Sequence, residues 1–130
     1  MTDFRFHEEL KQLNMGNTQG WTKSQKIPIS MLNNQRGFDA SVWTKGNKVV
    51  IKIDGSSRVN LNEIAMDWGL NDRKMFFNDL PPQFYDAQKL FKKVQSLYPG
   101  KDITATGLSL GGSLTQLLTA ANPGLKGVAF

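Results

Sequence analysis

Apolar positions are sparse over the first 36 residues and dense after them. Phe4, Leu10 and Leu13 fit one side of a short amphipathic helix within residues 1–15, although the period is imperfect. The stretch GNTQGWTKSQKIP that follows reads as loop from its Gly, Asn, Thr, Ser and Pro content, and Ile29–Leu32 as a short helix or turn. At Gly37 the pattern sharpens. Two strand-like runs, residues 39–44 and Lys48–Asp54, flank Lys45-Gly46-Asn47, which suits a hairpin. In the second run Val49, Ile51 and Ile53 alternate with Val50, Lys52 and Asp54, so one face is apolar and the other mixed.

Further on the period changes to a helical one. Leu61, Ile64, Ala65 and Trp68 share a face within residues 60–69, and Asn60 with Glu63 resembles a capping box. The stretch PPQFYDAQKLFKKVQSLYPG predicts the strongest helix in the chain. Pro81 and Pro82 suit its start, Phe84, Ala87, Leu90, Phe91, Val94 and Leu97 line one face, and Pro99-Gly100 ends it. Residues 102–106 predict a strand, Leu110–Ala121 a helix, and KGVAF at 126–130 a last strand. The order strand, helix, strand, helix, strand implies right-handed crossovers and a parallel sheet with helices on both faces. The expected class is α/β.

Composition narrows the functional classes. At 130 residues the chain makes a single core of moderate size, and 39% hydrophobic with 21% charged residues argues against disorder. The net charge of +5 suggests mild attraction to anionic surfaces, but Lys89, Lys92, Lys93 and Lys101 are spread as on a solvated helix face. Zinc ligands, basic arms and aromatic–basic interleaving are lacking, so nucleic acid is not an expected partner, and neither a metal nor a cofactor is expected. The chain has no cysteine, no apolar signal region and no run long enough to span a membrane, which sets a cytoplasmic expectation.

The chemistry concentrates in TATGLSLGGSLTQ, between a predicted strand and a predicted helix. Ser109 lies between Gly107 and Gly111, with Gly112 beyond. A serine on a sharp strand-to-helix turn takes a strained backbone, and side chains two residues before and after would collide with it. Glycine at both places removes the collision. The helix that follows directs its N–H groups at any oxyanion formed there, that of Leu110 nearest. The spacing fits neither a dinucleotide fingerprint nor a phosphate loop.

With its flanks, ITATGLSLGGSLTQLLTA resembles the nucleophile elbow of class 3 (fungal-type) lipases, an α/β-hydrolase family in which Gly-His-Ser-Leu-Gly-Gly is typical. Upstream, GFDASVWTKGNKVVIKIDGSS resembles that family's hairpin and Arg-Gly-Ser/Thr turn, and AMDWGLND its Asp-Trp-x-x-Asp stretch. FYDAQKLFKKVQSLYPGKDITATG resembles its run into the elbow. The resemblance covers about residues 37–130 and leaves 1–36 as an N-terminal helix and loop. It implies a truncated α/β-hydrolase-like sheet, a hairpin plus a βαβαβ unit, incomplete at the C-terminus. It also implies Ser109 as nucleophile and an oxyanion hole from the N–H groups of Leu110 and Ser56, and it leaves the helix over 60–69, presenting Leu61, Ile64 and Trp68, as either a lid or ordinary core cover.

The chain departs from that family in three places. Leu108 replaces the usual histidine before the serine, and Asp54 replaces the usual arginine, placing negative charge near an oxyanion site. After Ser109 the remaining 21 residues contain no Asp, Glu or His, where the fold's triad would continue. The one histidine, His7, reads as a surface helix residue, and nothing in the placement of Lys101 or Lys126 supports a Ser-Lys pair. Two functions follow as expectations. One is a lipid ester hydrolase domain that takes its base and acid from outside this chain. The other is an inactive lipase-like protein that binds and regulates another protein. In both, a second chain or another copy covers the edge of the terminal strand.

Overall fold

The computed structural model describes residues 4–34, 37–54 and 80–130. Five strands form one mixed sheet in the order β1-β2-β3-β4-β5: Thr22–Lys23, Asp39–Lys45, Lys48–Asp54, Asp102–Gly107 and Lys126–Ala129. β1, β2 and β3 are antiparallel, while β3, β4 and β5 are parallel. The hairpin turn is shorter than the sequence suggests, because Lys45 pairs with Lys48 and leaves only Gly46 and Asn47 in the loop. A second difference lies in the segment read as loop, where Thr22 and Lys23 pair with Thr44 and Trp43 as an edge strand. Two residues are too few to carry a strand signature of their own; the rim of β2 recruits them.

Four helices are described: α1 (Phe4–Asn14), α2 (Ile29–Leu32), α3 (Pro82–Leu97) and α4 (Leu110–Ala121). α3 and α4 cover one face of the sheet. Phe84, Ala87, Leu90, Phe91 and Val94 of α3 meet Leu114, Leu117 and Leu118 of α4 over Val49, Ile51, Ile53 and Ala105. The other face belongs to α1, which buries Phe6, Leu10 and Leu13 against Val50 with Trp21, Trp43, Val128 and Phe130 around them. Helices therefore lie on both faces, as a parallel sheet requires. The supposedly mixed face of β3 is closed at its centre, where Val50 is fully buried. Within α1 the expected Phe4 is 84% exposed, and Phe6 takes the inward place, since 6, 10 and 13 keep helical spacing and 4 does not. The expected helix over 60–69 lies outside the described residues. Among the described residues no helix is long and apolar enough to cross a membrane.

This packing separates two substitutions in one helix. Leu10→Ala removes a side chain with no exposure and is expected to lower the unfolding free energy by about 2–5 kcal/mol in urea titration. Phe4→Ala, which removes an exposed side chain, is expected to stay within about 0.5 kcal/mol of the parent.

Candidate functional site

β4 ends at Gly107 and α4 begins at Leu110, so the chain reverses within Leu108 and Ser109. Ser109 adopts φ 58° and ψ −117°, and it is the single non-glycine residue with positive φ among the described residues. Such a conformation costs about 1–3 kcal/mol and persists only where its surroundings impose it. Ser109 is exposed and its side chain makes no capping hydrogen bond to the helix it precedes.

The flanking glycines show what imposes it. A Cβ on Gly107 would overlap the carbonyl group of Gly111, and a Cβ on Gly111 would overlap the carbonyl oxygen of Ile53. At Gly112 a Cβ would stand 3.1 Å from the Phe130 carbonyl oxygen and 3.2 Å from that of Gly107. The first turn of α4 is thus pressed directly onto the ends of β3 and β4, at a distance only glycine allows. Backbone hydrogen bonds complete the turn. Gly111 donates to the Leu108 carbonyl at 3.0 Å and Ser113 to that of Ser109 at 3.1 Å. Ser109 itself donates to the Phe130 carbonyl at 2.9 Å. Among the described residues no acceptor is found for the Leu110 N–H, one of the donors a helix start leaves over.

With a strained serine at a glycine-packed turn on a mixed five-stranded sheet, the molecule can be set beside known proteins. In structure the chain is similar to the triacylglyceride lipase of Rhizomucor miehei, with TM-score 0.55 and 16% identity over 98% of this chain and 62% of that one. The Lip2 lipase of Yarrowia lipolytica is a more distant likeness, with TM-score 0.47 and 14% identity over 88% of this chain and 45% of that one. The fold is lipase-like. At the level of sequence, no family model and no curated protein matches the chain. The chain spans less than two thirds of either lipase.

The remaining site candidates are distributed as follows. Ser56, Leu61, Ile64 and Trp68 lie outside the described residues. Lys101 and Lys126 sit at the starts of β4 and β5, the latter paired with Asp102 at 3.3 Å. Ser109 follows the opposite end of β4, about 20 Å of extended chain away from Lys101. A Ser-Lys pair with either lysine is excluded by that geometry. His7 is exposed on α1, yet its ring lies edge-to-face on Phe130 with centroids 5.1 Å apart. Among the described residues no group of three or more His, Asp or Glu is placed to hold a metal ion.

Asp54 does not stand alone with its charge. Lys52 pairs with it at 3.0 Å on its own strand, and Asp39 faces it directly across the hairpin. Its backbone borders the elbow, with its carbonyl carbon 3.5 Å from where a Gly111 Cβ would lie. Desolvation, and then repulsion from Asp54, hold the Asp39 carboxyl above its ordinary pKa of 3.8, against the pull of Lys52 and Lys23. Sequence reasoning singled out Asp54 and missed Asp39, because the turn read as Lys45-Gly46-Asn47 is one residue too long and the register counted from it sets Asp39 opposite Ile53.

Three outcomes are expected. Gly111→Ala drives a methyl group into the Ile53 carbonyl and lowers the unfolding free energy by about 3 kcal/mol or more. Gly100→Ala, at φ 77° with open space around it, loses about 1–2 kcal/mol in the same denaturation experiment. For Asp39, a raised folded-state pKa means that ionisation opposes folding. The penalty is absent below the unfolded value of 3.8 and develops as pH rises above it. Asp39→Asn should therefore melt higher than the parent at pH 7, and the difference should vanish below about pH 4.

Proposed function

We propose that this chain carries the nucleophile elbow of a lipase-like serine ester hydrolase acting on carboxylic esters of lipids, with base and acid supplied from outside the chain. The observation that carries the reading is Ser109 at φ 58° and ψ −117°, wedged between glycines that tolerate no Cβ. A turn that only joined a strand to a helix would have no need of a non-glycine residue in that conformation. In the reaction, the Ser109 oxygen attacks the ester carbonyl and passes its proton to the external base. The Leu110 N–H, with that of Ser56, stabilises the tetrahedral oxyanion. The alcohol leaves with a proton returned by the base, and water then releases the acid and restores the serine. The lipid substrate is suggested by the name of the Rhizomucor protein and rests on likeness of fold.

A second reading has its own support. Among the described strands β5 pairs only with β4. A lipase-like protein without catalysis, which binds and regulates another protein through the open side of β5, fits that fact. On the hydrolase reading the same edge receives the chain, or the second copy, that brings the base and acid.

Labelling with a fluorophosphonate, followed by peptide mass analysis, separates the two. On the hydrolase reading the label is found on Ser109, is lost in Ser109→Ala, and forms about 10²–10⁴-fold faster when the complementing polypeptide is bound. If the folded chain stays unlabelled both alone and in complex, the hydrolase reading is wrong and the binding reading stands.

A further inference from the structure

The strained serine needs a clamp from outside its own turn, and one residue supplies both jaws. Phe130 donates its N–H to the Gly107 carbonyl at 2.9 Å and accepts the Ser109 N–H at 2.9 Å. Its backbone therefore holds the residue before the turn and the serine at its apex. We propose that Phe130 is the positioning residue of the elbow, and that α1, on the opposite face of the sheet from α3 and α4, holds Phe130 in place.

Three contacts tie α1 to that position. The His7 ring packs edge-to-face on the Phe130 ring. Phe6, Leu10 and Leu13 form the apolar bed on which Val128 and Phe130 rest. Asn14 donates through Nδ2 to the Thr106 hydroxyl at 3.0 Å, and that hydroxyl donates to the Val128 carbonyl at 2.8 Å, two residues before Phe130. Asn14 is itself oriented by a second bond to the Leu10 carbonyl at 2.8 Å. Thr106 is fully buried, so this relay runs through the protein interior, one residue before the elbow's first glycine. α1 thus sets the conformation of the serine through β5.

The inference deepens the hydrolase reading, from which it takes its catalytic meaning, but it concerns the backbone and is tested without turnover. Amide hydrogen exchange followed by NMR on the full chain reads the Ser109 N–H directly. In the parent, this amide is expected to exchange slowly for an exposed turn, because it is bonded to the Phe130 carbonyl. His7→Ala is expected to speed its exchange about 2- to 10-fold, with His7→Phe restoring protection through an equivalent ring edge. Thr106→Val is expected to act to a similar extent, about 2- to 10-fold, and Thr106→Ser to restore it. Amides at the centres of β3 and α3 keep parental exchange in all four variants. Unchanged Ser109 exchange in both His7→Ala and Thr106→Val overturns the proposal, as does acceleration spread equally over β3 and α3. Failure of Ser109 to take a fluorophosphonate, with these exchange results intact, counts against the hydrolase reading and leaves the positioning role standing.

Discussion

A methyl group on residue 111 would occupy the place of the Ile53 carbonyl oxygen, and the architecture around Ser109 follows from that single exclusion. Because residue 111 has no side chain, the first turn of α4 lies on the backbone of β3. Because residue 107 has none, β4 can turn back under the same helix. The two approaches leave Leu108 and Ser109 no room for an ordinary turn, and Ser109 takes up the difference as positive φ. Close approach is the cause and serine strain the consequence. The strain is also what lifts the serine clear of both the strand and the helix.

The sheet bears this strain because both of its faces are packed. α3 and α4 press on one side through Ile51, Ile53 and Ala105, and α1 presses on the other through Leu10, Leu13 and Val50. Two cores separated by one sheet resist bending of the strands more than one core would. A conformation costing about 1–3 kcal/mol is a sizeable share of a stability that amounts to 5–15 kcal/mol in domains of this kind. Only an over-determined frame keeps it, and α1 belongs to that frame despite its distance in sequence.

How much of this was legible in the sequence depends on the range of the interaction concerned. The hairpin, α3, β4, α4 and β5 are written in local periodicity, because each buries one face and repeats it at a fixed interval. Gly107, Ser109 and Gly111 are legible for the same reason, since the steric rule acts over five consecutive residues. What escaped depends on contacts between segments far apart in the chain. The inward turn of Phe6 in place of Phe4 is decided by a sheet face that includes Trp43, Val50 and Val128, far along the chain. β1 exists because β2 offers an edge, and its two residues carry no pattern of their own. Asn14 and Thr106 looked like unremarkable polar residues, 92 positions apart, until the fold put their side chains 3.0 Å from each other.

Charge at the elbow shows why a residue's sign should be weighed together with its neighbours. Asp54 on its own opposes an oxyanion, and its position in the sequence invites that reading. In the fold its carboxylate is bound to Lys52, so much of its field is cancelled close at hand. The carboxylate left in tension is Asp39, pushed toward its neutral form by partial desolvation and by Asp54 across the ladder. Like charges placed directly opposite weaken a hairpin, so this arrangement works against stability at neutral pH. The pair stands at the strand ends that the first turn of α4 presses upon, where any change in β3 reaches Gly111 through the Ile53 carbonyl. Backbone strain and carboxylate repulsion therefore converge at one end of the sheet, the end where Ser109 is exposed.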